Sequence, residues 1–347
     1  MTDARERHAS ARKQLANSID PMVERMAEKT AIASATEFTF EKIAEKWLEH
    51  WQCNKSLRHV DTTRNRLKGN VYPVLGARPI AEIEPMELVQ LAQGIETRGA
   101  SDMAKRILQI VGMVTRYAVA HGYSKRNPAS EIRPSDILKP TRKTNMARID
   151  AKELPALLRS IELYEGRQLT RLAMKLMALT FVRTSELIGA RWEEFDFEAC
   201  RWNIPAERMK MNTPHIVPLA SQGVEALNLL KRLSGQYELV FPGEQNRKKP
   251  MSNMTILKAL ERMGYKGRMT GHGFRGLAST ILHEQGYNHE HIELQLAHAP
   301  CNAVSAAYNH ALYLEPRARM MRDWADFLEK TQRGGKLLPF MRKADVA

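Results

Sequence analysis

The chain is poor in residues that cross-link or ligate. Its 347 residues include three cysteines, Cys53, Cys200 and Cys301, and no C-x-x-C pair. That excludes a disulfide framework and a cysteine zinc site and leaves buried free thiols as the ordinary reading. No stretch approaches the roughly 20 uninterrupted apolar residues that cross a bilayer. The opening MTDARERHASARKQ is charged and lacks the apolar run of a secretory signal. These absences point to an intracellular protein with no membrane partner. There is also no phosphate-cradling G-x-x-x-x-G-K-[ST], no carboxylate pair and no metal-ligand cluster, so neither cofactor nor metal is expected. HEQGYNHEH (283–291) is rich in His and Glu, but the metalloprotease pattern H-E-x-x-H sets its histidines on one helical face. Here His289 follows His283 by six, and His289 and His291 are two apart. A surface turn is expected there.

What the chain does have is positive charge. Lys and Arg number 53 against 39 Asp and Glu, a formal net charge of +14. A basic chain of this size suits a polyanion, most often nucleic acid. The length suggests two or three domains, and 43% hydrophobic residues suffice for real cores.

Periodicity divides the chain. Residues 3–29 read as a charge-dense helical segment, and AIASAT (31–36) as a linker. From 37 to 134 the pattern is helical throughout. Phe40, Ile43, Trp47 and Trp51 share one face. Pro85 suits a first helical turn. Ser101 is the candidate N-cap and Gly122 the terminator of a helix whose apolar set is Met103, Ile107, Ile110, Val114 and Tyr117. KPTRKTNMAR (139–148) carries four basic residues, Lys139, Arg142, Lys143 and Arg148, and no acid. It reads as an interdomain linker able to lie along a phosphate backbone, or simply as a solvated one. DAKELPALLRSIELY then opens a second domain with an amphipathic helix. RLAMKLMALTFVRTSELIGARW (171–192) holds one long or two short buried helices. RWNIP and HIVPLA are short strand-like runs and predict a hairpin or a small sheet. Helical patterns return from 251 to about Leu328. The fold class is mainly α with a small β-sheet, α+β.

Four places in the second domain carry more polarity than packing needs. Arg183 lies in an apolar run, with Glu186 three residues on as a partner. TGHGFRGLAST brings His272 and Arg275 one helical turn apart among glycines. His298 ends an apolar helix, and Lys210 stands at the hairpin tip. Three of them have plainer readings, a surface ion pair at Arg183, a structural residue or cap at His298 and a solubilising lysine at Lys210, and a lone H-x-x-R is a weak motif. With Tyr308 the set becomes two arginines, two histidines, a lysine and a tyrosine. Arginine forks match phosphate oxygens, lysine and histidine move protons, and tyrosine is a covalent nucleophile. Such a set suits metal-free attack on a phosphodiester, with arginines in place of a divalent ion.

In this order, Arg183, Lys210, His272-Gly-Phe-Arg275, His298 and Tyr308 resemble the catalytic signature of the tyrosine recombinases, the phage-integrase family. LTFVRTSEL, MKMNTPHIVPL, GHGFRGLAST and AAYNHALYLEPRARMMRDWADFL are especially similar to integrases of prophages and genomic islands. The resemblance covers about 37–330. It implies a helical core-binding domain (36–138), the basic linker (139–148), a mixed α/β catalytic domain (149–330) and a tail (331–347), closing as a C-shaped clamp around DNA. It implies that Tyr308 attacks the scissile phosphate to give a 3′-phosphotyrosyl link and a free 5′-hydroxyl. Arg183 and Arg275 would hold the non-bridging oxygens, with His298 adding a hydrogen bond. Lys210 would protonate the leaving oxygen, His272 would act as acid and base near the nucleophile, and Glu186 would orient Arg183. The implied partners are double-stranded DNA bearing core attachment sites and an accessory DNA-bending or directionality factor. The chain would be a monomer when free and a homotetramer on synapsed DNA. The bacterial cytoplasm is the implied location.

The family often has glycine where Phe181 and Ala297 stand. The first 35 residues resemble the last helix of an arm-binding domain, and are expected to be its truncated remnant. Tyr308 and Tyr313 are five apart, about 140° around a helix, so only one of them would face the arginines. Spacing from His298 and the small Ala306 and Ala307 select Tyr308, leaving Tyr313 to pack the last helix. Met320, Trp324, Phe327 and Leu328 form an apolar edge expected to dock on a neighbouring subunit. Two alternatives stand beside a recombinase: DNA relaxation of the type IB topoisomerase kind, and a catalytically idle DNA-binding remnant.

Overall fold

The first helix, α1 (Phe40–Trp51), buries Phe40, Ile43, Ala44, Trp47 and Leu48 along one face. In the computed structural model, which describes Met22 and residues 37–140, 147–298 and 312–334, the chain divides into two compact units between Lys143 and Thr144. The first unit is helical among its described residues. After α1 come α2 (Leu57–Asn70), α3 (Tyr72–Leu75), α4 (Pro85–Glu96), α5 (Ser101–Ala120) and α6 (Pro134–Ile137). Helix α4 has Pro85 in its first turn, and the Glu84 amide donates to the Glu87 carboxylate at 2.9 Å. The long α5 is the central helix. Ile107, Ile110 and Val114 are buried, whereas Met103 and Tyr117 at the ends of the stripe are half-buried. Its cap differs from expectation: Ala100 is the N-cap, and Ser101 is the first helical residue, donating to Glu96 at 3.2 Å. Gly122 ends the helix at φ +75°, which glycine adopts without steric cost.

The second unit begins with α7 (Leu154–Glu162) and α8 (Gln168–Thr180). The run from 171 to 192 resolves into two helices, because Phe181 turns left-handed (φ 40°) before α9 (Thr184–Ile188). Three short antiparallel strands follow: β1 (Phe195–Asp196), β2 (Arg201–Ile204) and β3 (His215–Pro218). Trp202 pairs with Val217 and Ile204 with His215. The β2–β3 hairpin was legible in the sequence, whereas the two-residue β1 is too short to alternate visibly. Helices α10 (Ser221–Ser234), α11 (Asn253–Leu260), α12 (Gly271–Glu284), α13 (His289–Gln295) and α14 (Leu314–Gln332) complete the unit. Among the described residues, no helix is long and apolar enough to cross a membrane.

The placement of α14 corrects one expectation. Met320, Met321, Trp324, Phe327 and Leu328 are buried in this unit's own core rather than offered to a neighbour. Trp324 donates from Nε1 to the Ala178 carbonyl at 2.9 Å and meets the Phe181 ring edge-on. The apolar edge of α14 reads equally well as an interface or a core, and only the core contacts decide.

A buried arginine pins α14 at its start. Arg317, 2% exposed, donates to the Ile216 carbonyl on β3, the Gln295 side chain on α13 and the Leu312 carbonyl. His215 lies buried in the same region, and its Nε2 has no partner among the described residues. Burial, followed by the charge of Arg317, pushes its imidazole down to about 3. Free histidine titrates near ~6.5. Between those values the unfolded chain takes up the proton and the folded one does not. Stability is therefore intact above pH ~6.5 and falls as pH drops toward 3, by up to about 1.4 kcal/mol per pH unit. Urea unfolding at pH 7.5 and 5 should show a smaller acid loss in His215→Asn than in the parent. Equal losses would remove His215 as a source of the slope.

Candidate active site

Arg183 is the residue just before α9, in extended conformation at φ −68° and ψ 147°. The Glu186 carboxylate, 2% exposed, accepts the Arg183 amide at 2.8 Å and its Nη1 at 2.6 Å. One buried acid therefore caps the short helix and aims the guanidinium. Arg183 Nη2 donates to the Ala297 carbonyl at 3.1 Å.

Arg275 lies in the second turn of α12 and is 3% exposed. It donates to the Phe181 carbonyl at 2.8 Å, to the Leu296 carbonyl, and to His298 Nε2 at 3.3 Å. Its Nε has no partner among the described residues. Burial and then the charge of Arg183 draw its pKa down to about 10, so it stays protonated at neutral pH. Two cations held this close, one nearly dry, form a strong positive field suited to an anion.

The turns on either side supply the acceptors. Phe181 and Ala297 both take the left-handed conformation, at φ 40° and 48°. These are the two positions at which the sequence has a side chain where the family often has glycine. A non-glycine residue there costs about 1 kcal/mol. Phe181 presents its carbonyl to Arg275, and Ala297 presents its own to Arg183. The strain accompanies main-chain acceptors aimed at the two guanidiniums.

His298 follows the second of these turns. Its Nδ1 meets the Glu293 carboxylate at 2.8 Å. The partners on both edges assign the proton to Nδ1 and leave Nε2 as acceptor toward Arg275. His272 is the second residue of α12 and is exposed. Its pKa is lowered, first by burial and then by Arg275, Arg183 and His298. Thr270 caps α12 by accepting from the Gly273 amide at 3.1 Å. A Cβ on Gly273 would stand 2.7 Å from the Ala147 carbonyl, so this close approach requires glycine.

The structure thus brings together Arg183, Glu186, Arg275 and His298 by direct contact, with His272 in the same field. Lys210 is exposed on the β2–β3 turn and is not joined to them by a described hydrogen bond. Of the basic stretch, Lys139 donates its amide to Glu96, and Arg148 donates Nη1 to Gly276 O and Thr280 Oγ1, both at 2.8 Å. Tyr308, Arg142 and Lys143 lie outside the described residues, as do the tail beyond 334 and all of the first 35 residues except Met22. Tyr313 is the left-handed N-cap of α14, its ring against His291. Tyr313 itself is therefore not helical, and the 140° separation expected of one continuous helix does not apply to it. In the histidine-rich turn, His283 Nε2 meets His289 Nδ1 at 3.0 Å. No group of three metal-ligating side chains stands together among the described residues.

Sequence reasoning missed Glu293, Gln295, Arg317 and Arg208. Gln295, Arg317 and Arg208 act on main-chain carbonyls or on partners distant in sequence, a relation no short motif records. Glu293 meets the His298 side chain five residues on, outside the i,i+3 and i,i+4 spacings of a helix face.

The family model described as "Phage integrase family" matches residues 147–315, and that of the "Phage integrase central domain" matches 40–135. The chain is 38% identical over 346 residues to putative protein IntB of Escherichia coli (strain K12), covering 95% of this chain and 86% of that one. It is 37% identical over 348 residues to the integrase of Enterobacteria phage P4, covering 95% and 77%. The fold is that of a lambda integrase solved as a tetramer bound to a Holliday junction, with a TM-score of 0.65, 18% identity and 82% of each chain covered. By these matches, spread over both units, the chain belongs to the phage integrase family, the tyrosine-type site-specific DNA recombinases.

Proposed function

We propose that this recombinase cuts and rejoins double-stranded DNA at core attachment sites through Tyr308, to integrate or excise a prophage or genomic island. The observation that carries the reading is the pair of guanidiniums, buried Arg275 and part-buried Arg183, set beside His272 and His298. Such a pair is complementary to a phosphate that gains negative charge on its non-bridging oxygens during attack. In the proposed step the Tyr308 oxygen bonds to phosphorus as its proton passes to neutral His272. The bond from phosphorus to the 5′-oxygen breaks, and that oxygen takes a proton from Lys210. The phosphotyrosyl link conserves the bond energy, so a second 5′-hydroxyl reverses the sequence without ATP.

The basic stretch from 139 to 148 is assigned to the phosphate backbone through Lys139, Arg142, Lys143 and Arg148. Arg148 already spends Nη1 on α12, which fastens the end of that stretch to the helix bearing Arg275. We assign the domains as 36–138 for core binding and 149–330 for catalysis, joined by 139–148. The working assembly is a homotetramer on synapsed DNA in the bacterial cytoplasm, assisted by a DNA-bending or directionality factor.

A nicked suicide duplex carrying the cognate core site should trap a covalent adduct with the parent chain and none with Tyr308→Phe. An undiminished adduct in that variant would remove Tyr308 as the nucleophile. The lowered pKa of His272 also gives a sign: the neutral imidazole accepts the proton, so single-turnover cleavage should hold steady through neutral pH. It should decline only below the ~6.5 of free histidine. His272→Asn should slow the reaction and flatten that acid limb. A decline beginning above pH 7, or one unchanged in the variant, would assign the limb to another group.

A further inference from the structure

A general acid works only within hydrogen-bond reach of the atom it protonates. Lys210 stands on a turn of ten residues between Ile204 and His215, a long excursion for a hairpin. Something must hold that turn against the site. Two residues before Lys210 stands a largely buried cation able to do this, Arg208.

The Arg208 side chain points away from solvent and back under the turn, with 15% of it exposed. Its Nη1 donates to the Glu194 carboxylate, and its Nη2 to the main-chain carbonyl of Glu186. Glu186 is the acid that caps α9 and aims Arg183. Glu194 is itself buried and accepts a second hydrogen bond, from Trp202 Nε1 on β2 at 2.9 Å. One guanidinium therefore ties together the helix after Arg183, the segment leading into β1 and the foot of the Lys210 turn. The neighbouring backbone is shaped to admit it. A Cβ built on Gly189 would lie 3.0 Å from Arg208 Nη2, tighter than ordinary contact.

Energetics favour a positional role. A buried Arg–Glu pair adds little net stability over well-packed apolar side chains, because both charges must be desolvated. What such a pair fixes is geometry, since the guanidinium fork donates to its partners in one plane and one register.

We propose that Arg208 is a positioning residue for proton donation, locking the β2–β3 turn to α9 so that Lys210 stands across the scissile phosphate from Arg183. The proposal rests on the reading of Lys210 as the proton donor. It assigns Arg208 no contact with DNA.

The test uses the full-length chain and two nicked core-site duplexes, one with the natural scissile phosphate and one with sulfur replacing the bridging 5′-oxygen. A thiolate leaves without a proton, its conjugate acid being far stronger than an alcohol. Lys210→Met should therefore lose about 10²-fold or more on the oxygen duplex and recover most of that on the sulfur duplex. Arg208→Gln should show the same pattern, slow on oxygen and near the parent rate on sulfur. Arg208→Lys should not restore the oxygen rate, since an ammonium cannot span both acceptors. Near-normal cleavage of the sulfur duplex itself reports an intact fold. If Arg208→Gln cleaves neither duplex, Gly189→Ala decides the matter, since it crowds the guanidinium at 3.0 Å, and the Ser185 carbonyl at 3.1 Å, without removing either. A sulfur-rescued oxygen defect in that variant supports the proposal. An equal defect on both duplexes, or none, overturns it. If sulfur fails to rescue Lys210→Met, the reading of Lys210 falls, and the proposal with it. If Lys210→Met is rescued and Arg208→Gln, still active, is not, the proposal alone falls.

Discussion

A guanidinium almost wholly removed from water sets the central constraint of the second unit. Arg275 is 3% exposed and lies beside a second cation, Arg183. Desolvating one charge costs several kcal/mol unless dipoles or counter-charges replace the lost water. Here they are main-chain carbonyls from two separate turns, the carboxylate of Glu186 held on Arg183, and that of Glu293 acting from behind His298. The ends of α8 and α13 and the starts of α9 and α12 must therefore converge on one point.

The left-handed residues belong to the same constraint. Phe181 ends α8 and Ala297 follows α13, each with its carbonyl directed at an arginine. Their strain is offset by burying Phe181 against Trp324 and by the hydrogen bonds the carbonyls receive. Helix α14 reaches into the same core through Trp324 and, through Arg317, onto β3 and α13. An anion held by the two arginines would meet a field already assembled, with little left to reorganise.

Much of this was legible beforehand. The helical class follows from 3.6-residue periodicity, as in Phe40, Ile43 and Trp47, which a buried helix face must show. The hairpin follows from the strand-like RWNIP and HIVPL flanking a polar turn. Arg183 stood out because a charge inside an apolar run needs a compensating partner, His272 and Arg275 because they stand one helical turn apart among glycines, and His298 because it ends an apolar helix. Glu186 was readable as the partner of Arg183 because three residues span one helical turn. The destination of the apolar edge of α14 was not legible: amphipathicity demands burial without naming the surface that provides it. Arg208 and Arg317 did not stand out in the sequence, since their acceptors are carbonyls 22 and 101 residues away.

The sequence by itself determined the family of chemistry, because residue types fix which protons and charges are available and their order survives in the chain. It also determined the helices and the hairpin, since those depend on local periodicity. The tertiary structure alone decided which atoms satisfy each buried cation and that Phe181 and Ala297 must turn left-handed. It alone decided that α14 closes this unit's own core. Those outcomes depend on backbone carbonyls, which every residue carries alike, and no sequence pattern distinguishes one carbonyl from another.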